Sequence, residues 1–518
     1  MFILRMNKCH LSTYVHINNW FNTKMGWARK QMYSILLFCD IVVANGKGVV
    51  KLKIKHKKIS ASALVVSLCI MYIFIALFPY MGSVNVSAET SEAFSMDNFF
   101  WHYKGPERVM LLEDPQYSFF HRINLIFHAQ TQIILSSFAI DGGESGNILV
   151  GALLHAADRG VNVSIINNAV IGQMPLRYRD VLTAHENINV YLFNRFNFFR
   201  PRYINSALHD KYMIVDNTFM ILGGRNISDK YFASDEFAGR LSLDREVLVY
   251  NTDAQFHGSI ADVVDYFNRK ITSNQASRNS RIRRTGDLET QKAHFISLYL
   301  EYRRSVGLYN FDYYSNTIGV NRITLITNPI GTAKNDSVVA YNLMRIAQNS
   351  SVVIAQSPYV AFTRRNLAVF NEIVSGRDFT LSTNSLASTP NLPSFSNYYV
   401  NRRRILDTGI AIYEFQSTQA QLHAKTYLFD GRLTAIGSFN LNERSVRSDT
   451  ESMLIIDSVA FHNITLEAIN SQISQSLRVN AENSYDLNSD VEVAQVSFGK
   501  RALYRVTGHL LRPLRFMF

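Results

Sequence analysis

The amino-acid sequence predicts an α/β protein in which two tandem α/β lobes form one site at their interface, preceded by an N-terminal transmembrane helix. Three observations support this fold class. From Arg108 onward, apolar runs of strand length alternate with amphipathic helical runs, which is the pattern of a parallel α/β sheet. A polar motif occurs twice with the same internal spacing. An uncharged apolar run precedes both copies of that motif.

The two halves repeat one order of elements. The first lobe is predicted at 100–270 and the second at 311–480, with a polar and basic linker at 271–310. In the first half, strands are expected at 108–114, 131–140 and 161–170, and helices at 117–129 and 147–159. In the second half, strands are expected at 322–328, 351–360 and 378–386, and helices at 337–348 and 364–374.

The repeated motif is the most informative feature of the chain. It is LHDKYMIVDNTFMILGGRN at Leu208–Asn226, and it returns within LHAKTYLFDGRLTAIGSFNLNERSVRSDTE at Leu422–Glu451. Five identities at a frequency of ~5% each would coincide by chance about once in several million positions. These identities are His209, Lys211, Asp216, Gly223 and Asn226 in the first copy, and His423, Lys425, Asp430, Gly437 and Asn440 in the second.

The residue types in the motif suit phosphoryl transfer. His and Lys stand two apart in an alternating run, so on a strand they project from one face. The apolar run after the Asp ends in a small residue, Gly224 or Ser438, followed by the Asn, which predicts a hairpin partner. A His, Lys and Asn from each copy would form one site, in which imidazoles attack or donate protons while ammonium and amide groups hold phosphate oxygens. Such a site needs no metal or other cofactor.

Both copies resemble the HxKxxxxD signature of the phospholipase D superfamily. LSTNSLAST at Leu381–Thr389 and the text around the second motif are similar to the second half of bacterial cardiolipin synthases, and the first motif is similar to their first half. The resemblance runs from about Val109 to the C-terminus. It implies that His209 is the nucleophile, that His423 is the general acid and base, and that Asp216 and Asp430 are structural.

The resemblance also implies an activity. We expect a cardiolipin synthase that moves a phosphatidyl group between phospholipids through a phosphohistidine intermediate. The substrates would be phosphatidylglycerol or phosphatidylethanolamine at an anionic membrane surface, whereas a nucleotide or a nucleic acid is not expected. The alternatives are a phospholipase D, phosphodiesterase or nuclease that uses the same residues, and a non-enzymatic lipid-binding protein. Neither Gly223-Gly224 nor any other segment has the further residues of a dinucleotide or P-loop motif.

A nucleophilic histidine benefits from a carboxylate on its other ring nitrogen. Glu451 stands 28 residues after His423 at the head of a predicted strand. Asp244 precedes the strand-like VLVY of the first half, seven residues further from His209 than the second-half spacing predicts, with Glu246 as the substitute. The spacing therefore predicts that Glu451 serves His423 and that Asp244 serves His209.

The two ends of the chain suggest membrane contact. Residues 59–84 are uncharged and mostly apolar, which predicts a bilayer anchor or a long signal peptide with a cleavage site near Val86–Ala88. The basic run Lys51–Lys58 predicts that residues 1–58 are cytoplasmic and that the lobes face outward from a bacterial cell membrane. The tail at 481–518 is basic and amphipathic, so it would lie in the headgroup layer or dock on its own lobe.

Composition is consistent with these expectations. The chain has 518 residues, enough for two or more domains, and a formal net charge of +12. That charge favours an anionic partner, either a membrane or a nucleic acid, without choosing between them. The three cysteines, Cys9, Cys39 and Cys69, all precede Ala88. A cysteine metal cluster is therefore excluded from the two lobes.

Overall fold

The computed structural model describes residues 43–45, 48–50, 61–81, 86–234, 237–283, 287–307, 310–331, 336–487 and 490–517. Residues up to Ile70 and residues from Met71 onward fall into two compact units. Near the N-terminus the elements are the antiparallel pair β1 (Val43–Asn45) and β2 (Gly48–Val50) and the helix α1 (Ala61–Leu77), followed by a 3-10 turn at Phe78–Tyr80, α2 (Ala88–Ala93) and a second 3-10 turn at Met96–Asn98.

The predicted transmembrane anchor is not found among these residues. In the described part of the chain, no helix is long and apolar enough to cross a membrane. Helix α1 has 17 residues and gives way to the turn that contains Pro79. The basic run Lys51–Lys58 lies outside the described residues.

The first lobe is a nine-stranded sheet with the order β11-β6-β5-β4-β7-β8-β10-β3-β12. Its helices begin where local chemistry favours them: Asp114 accepts the Tyr117 backbone N–H at 2.7 Å, just before Pro115 opens α3. The elements are β3 (Glu107–Leu112), α3 (Pro115–His128), β4 (Gln132–Ser137), α4 (Glu144–Asp158), β5 (Asn162–Asn168), α5 (Leu176–Ala184), β6 (Ile188–Phe193), β7 (Tyr212–Val215), β8 (Phe219–Gly223), α6 (Asp229–Phe232), β9 (Leu241–Leu243), β10 (Glu246–Asn251), α7 (Ser259–Thr272), β11 (Ala276–Arg278), α8 (Leu288–Val306) and β12 (Ile318–Gly319).

The second lobe repeats this plan in an eight-stranded sheet with the order β13-β22-β20-β19-β14-β16-β17-β23. Its elements are β13 (Arg322–Thr327), α9 (Val338–Gln348), β14 (Val352–Gln356), β15 (Val360–Ala361), α10 (Arg364–Val374), β16 (Asp378–Asn384), α11 (Leu392–Leu406), β17 (Ala411–Phe415), β18 (Ala420–Leu422), β19 (Thr426–Phe429), β20 (Leu433–Gly437), β21 (Leu441–Asn442), α12 (Glu443–Arg447), β22 (Ser452–Asp457), α13 (Val459–Ile473), β23 (Ser476–Val479) and α14 (Phe498–Leu510), before a final 3-10 segment at Arg512–Met517.

The predicted α/β architecture is confirmed, but the sheets are mixed rather than parallel. In each lobe three neighbouring strands run parallel, β4-β5-β6 and β14-β16-β17. The first strand of each motif hairpin, β7 or β19, pairs antiparallel with β4 or β14, and the second strand, β8 or β20, is antiparallel to the first. The difference arises because the motif segments form tight hairpins, whereas parallel strands require long crossover connections.

The two sheets share a buried apolar core. Side chains from the inner faces of both sheets meet there, for example Leu222 and Val249 with Ile436 and Leu454. Helix α7 contributes Val263 and Phe267 to the same cluster. A short parallel ladder between β9 and β18 adds main-chain hydrogen bonds from one lobe to the other. The lobes are therefore joined by a continuous hydrophobic contact, as within one domain.

The predicted linker at 271–310 contains elements of the first lobe. Strand β11 pairs with β6, and α8 packs on α4 with Phe295 and Tyr299 in the first-lobe core. The interpretation as a linker was based on the polar stretch 271–285, and it overlooked the apolar helical spacing that follows. For the basic tail, the structure favours docking on its own lobe over a position in the headgroup layer, since α14 packs on α11 and buries Tyr504.

Gly151 of α4 allows α8 to approach closely. A Cβ at this position would lie 2.0 Å from the Phe295 carbonyl oxygen, a backbone atom. We predict that Gly151→Ala lowers the free energy of unfolding by about 1–3 kcal/mol, as overpacking does. Chemical denaturation of the full chain measures it. The matched control is Gly499→Ala in α14, where the added atom would have no described residue within 4 Å beyond its chain neighbours and its own helix backbone. Equal stability of the two variants would mean that α8 does not pack on the lobe.

Candidate active site

The two motif hairpins turn in the same way. Asp216 and Asn217 have φ values of 53° and 54°, and Asp430 and Gly431 have 47° and 70°. Two successive positive φ angles are the hallmark of the two-residue turns that match strand twist, and Asp, Asn and Gly tolerate them best.

The motif His and Lys do not lie on a strand as predicted. They occupy the extended residues immediately before β7 and β19.

The motif aspartates stabilise these turns. Asp216 accepts the backbone N–H groups of Gln130 and Thr131 at 2.8 Å and that of Gln132 at 3.0 Å. Asp430 accepts two such groups, from Ser351 and Val352, at 2.8 Å each. Both carboxylates thereby fasten the hairpin to the neighbouring loop at the end of the sheet.

Each motif histidine is hydrogen-bonded to a carboxylate of the other lobe. The Nδ1 atom of His209 lies 3.0 and 3.1 Å from the two carboxylate oxygens of Glu451. The Nδ1 atom of His423 lies 2.6 Å from Asp244. The sequence prediction identified both carboxylates but exchanged their partners. It compared distances along the chain within each half, whereas the contacts cross the interface.

Main-chain hydrogen bonds hold each histidine to the segment that carries its carboxylate. The His423 N–H donates to the Leu243 carbonyl at 2.6 Å, as an extension of the β9-β18 ladder. On the other side, the Thr450 N–H donates to Ala207 at 3.0 Å, and the His209 N–H donates to the Thr450 hydroxyl at 3.0 Å. The crossed pairing is therefore fixed by backbone as well as side chains.

The small motif residues make room for the carboxylates. A Cβ at Gly224 would lie 2.2 Å from Asp244 Oδ1, so no larger residue fits there. At the equivalent position, the Ser438 hydroxyl hydrogen-bonds to Glu451 and accepts the Ser452 N–H at 3.0 Å. The substitute considered from the sequence, Glu246, is engaged elsewhere, with Arg122, Arg225 and Ser118.

The two motif lysines are buried beside the histidines. Lys211 donates to the His209 carbonyl, and Lys425 donates to the His423 carbonyl. The Lys425 Nζ atom also lies 2.8 Å from Nδ1 and 3.4 Å from Nε2 of His423, over the imidazole edge. Each ammonium group thus lies within reach of a ligand bound to its own histidine.

The motif asparagines have different surroundings. Asn226 is held at both ends of its amide: Oδ1 accepts the Ala139 N–H at 3.2 Å, and Nδ2 donates to the Tyr231 hydroxyl at 3.2 Å. Tyr231 in turn lies 3.4 Å from His423 Nε2. Asn440 is buried, and among the residues that the structure describes its Oδ1 atom has no hydrogen-bond partner. An unsatisfied buried polar atom of this kind is rare in native structures and is often explained by a ligand.

Comparisons with known proteins agree with this geometry. Residues 123–270 and 350–473 match the family described as "Cardiolipin synthase, PLD-like domain", and they make up more than half of the chain. This chain belongs to that family of the phospholipase D superfamily. The family's two matched segments contain both histidine–lysine pairs of the site.

Individual relatives extend the similarity over most of the chain. Cardiolipin synthase C of Escherichia coli is 29% identical over 362 residues, which is 61% of this chain and 74% of the relative. An uncharacterised Helicobacter pylori protein is 27% identical over 437 residues, 73% of this chain and 80% of its own. The solved phosphatidylserine synthase of Haemophilus influenzae has the same fold, with a TM-score of 0.58 at 13% identity over 79% of this chain and 95% of that one.

Burial sets the electrostatics of this phospholipase D-like site. Burial lowers the pKa of Lys211 to about 8, and burial lowers the pKa of Lys425 to about 7. Burial, followed by the nearby Lys425 ammonium, lowers the pKa of His423 to about 3. Burial, followed by Lys211, also lowers the pKa of His209, and the Lys425 of the other lobe contributes to that shift. The two half-sites therefore belong to one electrostatic unit.

The two carboxylates differ in their pKa values. Burial raises the pKa of Asp244, but Lys425 and His423 outweigh it and hold that pKa well below its usual range. Burial raises the pKa of Glu451 to about 8, because Lys211 and the Ser438 hydroxyl compensate only in part. The pKa values of the two carboxylates are therefore shifted in opposite directions, so the Glu451 carboxylate behind His209 binds a proton more readily than the Asp244 carboxylate behind His423.

The structure adds residues that the sequence did not single out. Tyr231 and Tyr359 place their rings 5.1 and 6.0 Å from that of His423. Next to His209, the buried Asp210 binds Lys270 at 2.8 Å and the Thr450 hydroxyl at 2.6 Å. The second copy has Ala424 in place of Asp210, so the lack of a repeated Asp was the available signal that this position differs between the lobes.

The structural aspartates can be distinguished by the number of bonds that each accepts. We predict that Asp216→Asn lowers the free energy of unfolding by about 2 kcal/mol, because an amide replaces a charged acceptor and turns a donor toward N–H groups. Asp430→Asn, which loses fewer bonds, should cost less. Thermal unfolding of both variants measures the difference. A variant that folds with unchanged stability but loses diester cleavage would place the aspartate in the chemistry instead.

Proposed function

We propose that this protein is a cardiolipin synthase, which transfers a phosphatidyl group between phospholipids by two displacements at phosphorus. The observation that carries the proposal is the crossed arrangement in which each motif histidine is oriented by a carboxylate of the opposite lobe. With Nδ1–H donated to the carboxylate, the Nε2 lone pair of each imidazole is available for reaction. The family and the relatives named as cardiolipin synthases support a phospholipid substrate.

In the first step, His209 Nε2 attacks the phosphorus of a donor phospholipid. The phosphorus–oxygen bond to the headgroup alcohol breaks, and His423 in its protonated form gives a proton to the departing alkoxide. The products are a phosphatidyl-histidine on His209 and a free alcohol, which is glycerol when the donor is phosphatidylglycerol.

In the second step, His423 acts as a base. It accepts the proton of the terminal hydroxyl of a phosphatidylglycerol headgroup, whose oxygen attacks the phosphohistidine. The phosphorus–nitrogen bond breaks, cardiolipin leaves, and His423 is again protonated for the next cycle. Water in place of the second lipid would yield phosphatidic acid, so exclusion of water separates a synthase from a phospholipase D.

The unequal carboxylates support this division of roles. The ionised Asp244 favours a positive charge on His423, which has to carry the proton. Behind His209, the raised pKa of Glu451 reduces the negative charge that would stabilise an imidazolium, which favours the uncharged imidazole that a nucleophile requires. In the empty site, both imidazoles are held neutral by burial and the lysines. An anionic diester compensates the lysine charge, so its binding raises the pKa of His423 and recruits the acid.

The remaining motif side chains stabilise the transition state. Lys211 and Lys425 provide positive charge for the non-bridging oxygens of the phosphorane, and Asn226 and Asn440 provide amide hydrogen bonds. Preorganised donors of this type are worth about 3 kcal/mol each when aimed at developing charge. The Oδ1 atom of Asn440 can also accept a hydrogen bond from a hydroxyl group of the incoming headgroup.

The partners follow from this chemistry. The donor is phosphatidylglycerol, with phosphatidylethanolamine as the alternative, and both lie in the bacterial membrane, where we place the protein. The prediction that the lobes lie on the outer face depends on a helix that spans the membrane, and none is found among the described residues. A net charge of +12 suits the anionic surface that these lipids form.

Lipid analysis tests the proposal directly. The full chain is incubated with vesicles of phosphatidylglycerol and, separately, with single-stranded DNA, and the products are identified by mass spectrometry and electrophoresis. Cardiolipin and glycerol are expected from the vesicles. Phosphatidic acid alone would make the protein a phospholipase D. Cut DNA with unchanged lipid would make it a nuclease, and no product from either would favour the non-enzymatic alternative.

Substitutions of the two histidines should impair the reaction in different ways. His209→Ala removes the nucleophile, so no covalent lipid adduct should form with any donor. His423→Ala removes the acid and should slow adduct formation by about 10²- to 10⁴-fold for lipid donors, but much less for a donor with an acidic leaving alcohol. Rapid quench of radiolabelled donor measures the adduct. An adduct on the first variant, or equal losses for all leaving groups on the second, would contradict the assigned roles.

The lowered lysine pKa values predict the pH dependence of binding. Above pH about 7 to 8 the empty site loses ammonium charge, whereas a bound anion keeps both lysines protonated. Binding therefore takes up protons, and affinity for a phosphonate diester analogue should fall about tenfold or more between pH about 7 and 9. Lys425→Arg should flatten this decline, because guanidinium stays charged. Titration calorimetry measures both, and a parallel decline in the variant would assign the effect to another group.

A further inference from the structure

The loop that leads into the first motif is longer than its counterpart. Sixteen positions separate Phe193, at the end of β6, from His209, whereas eight separate Phe415, at the end of β17, from His423. The second lobe places its histidine without the additional residues. Neither the fold nor the motif geometry therefore requires them, and added loop length of this kind commonly carries a function of its own.

The composition of this loop is unusual for a protein surface. Phe196, Phe198 and Phe199 are 65%, 60% and 90% exposed. Arginines alternate with them, at 195, 200 and 202, and Glu186 and Asp210 are the nearest acidic residues on either side. We call residues 194–203 the Arg-Phe loop. Large exposed aromatic groups clustered with one sign of charge indicate an interaction surface.

The Arg-Phe loop continues into an apolar segment at the start of the second compact unit. The ring of Tyr72 stacks on Phe198 at a centroid distance of 4.8 Å, and the Tyr80 hydroxyl donates to the Arg202 carbonyl at 2.5 Å. Phe74 and Phe78 line a cleft with Phe199 and are themselves exposed. From Met71 to Met81 the chain has no charged side chain.

The base of the loop is fixed beside the candidate active site. The Asn205 amide donates to the Ser448 hydroxyl at 3.3 Å, and the Ser206 hydroxyl donates to the Ser448 carbonyl at 2.7 Å. The Ala207 N–H donates to Asp449 at 3.1 Å. These contacts lie within four residues of His209. The end of the Arg-Phe loop is therefore joined to the anchored segment that carries His209.

We propose that the Arg-Phe loop, together with residues 71–81, is the surface that docks this protein on an anionic phospholipid bilayer. The phenylalanines enter the boundary between headgroups and acyl chains, where aromatic side chains are enriched. The arginines bind lipid phosphates, and the apolar segment widens the area that leaves water. The inference rests on the proposed function only in that the docked lipids would be the substrate.

The observations favour a bilayer over a nucleic acid. Aromatic and basic side chains also bind single strands, through bases stacked on rings in a charged groove. The uncharged segment 71–81 would make no favourable contact with a nucleic acid. Its apolar side chains would instead remove water from the nucleic-acid phosphates. A bilayer accommodates both parts at once, since it presents phosphates outside and hydrocarbon inside.

Vesicle flotation of the full chain tests this surface. A triple change of Phe196, Phe198 and Phe199 to Ser should reduce binding to phosphatidylglycerol-containing vesicles at least tenfold. A triple change of Arg195, Arg200 and Arg202 to Gln should reduce it by about fivefold per arginine, with little effect on neutral vesicles. Tyr103→Ser, which removes an exposed aromatic group outside the surface, is the matched control and should bind normally.

Three results would overturn the proposal. In the first, both triple variants bind anionic vesicles as the parent does. In the second, binding is lost only when Phe498 and Leu510 of α14 are changed to Ser, which would assign docking to the tail. In the third, the loop variants no longer bind single-stranded DNA, as measured by fluorescence anisotropy, but still bind vesicles as the parent does. Circular dichroism of each variant checks folding.

A soluble substrate separates this inference from the proposed function. For a short-chain diester that stays monomeric, the loop variants should retain kcat/KM within about twofold, whereas turnover on vesicles should fall in parallel with binding. If the protein makes no cardiolipin at all, vesicle flotation still tests the docking surface. Equal losses on monomeric and vesicle substrates would mean that the loop acts in the active site instead.

Discussion

The exchange of carboxylates between the lobes is the constraint on which the active site depends. A lobe by itself would carry a histidine without the group that orients it, and a carboxylate without its cation. Buried Asp244 would then be a charge without a partner, an arrangement that costs several kcal/mol, and buried Glu451 would lose the histidine with which it is hydrogen-bonded. The site is therefore coupled to the docking of the lobes, and a correctly formed interface and a correctly oriented imidazole are one structural event.

Several contacts away from the motifs keep the interface in register. Arg245 of the first lobe binds Glu113 through two nitrogens and reaches Gln356 and Thr426 of the second lobe at 2.8 and 3.1 Å. Gln472 returns to Glu113 at 2.7 Å. The apolar core between the sheets provides most of the favourable free energy, but it is not directional. The polar network fixes the alignment of the two lobes, because its hydrogen bonds form only when donors and acceptors face one another.

The sequence was most informative where spacing alone decides the structure. Equal gaps from His209 to Asn226 and from His423 to Asn440 predicted the duplicated hairpins. The interpretation of Asp216 and Asp430 as structural agrees with their turn geometry. The pairing of Asp244 with His423 could not be read from the chain, because a spacing measures distance along one half, and the contact depends on how two halves dock. Helix α8 was not predicted for a related reason. The polar stretch before it favoured a linker, although Phe295 and Tyr299 further along are apolar positions that pack in the core.

Departures from the internal symmetry are where the two halves acquire different tasks. The shorter carboxylate, Asp244, lies against Gly224, where a side chain would not fit, and it stays ionised beside His423. The longer one, Glu451, lies against the Ser438 hydroxyl, and burial raises its pKa beside His209. Gly224 lies next to Asp244, and Ser438 hydrogen-bonds to Glu451, so in both lobes the small motif residue accommodates a carboxylate that faces the histidine of the other lobe. Under the proposed function, these differences between the two copies distinguish the histidine that attacks phosphorus from the histidine that transfers protons.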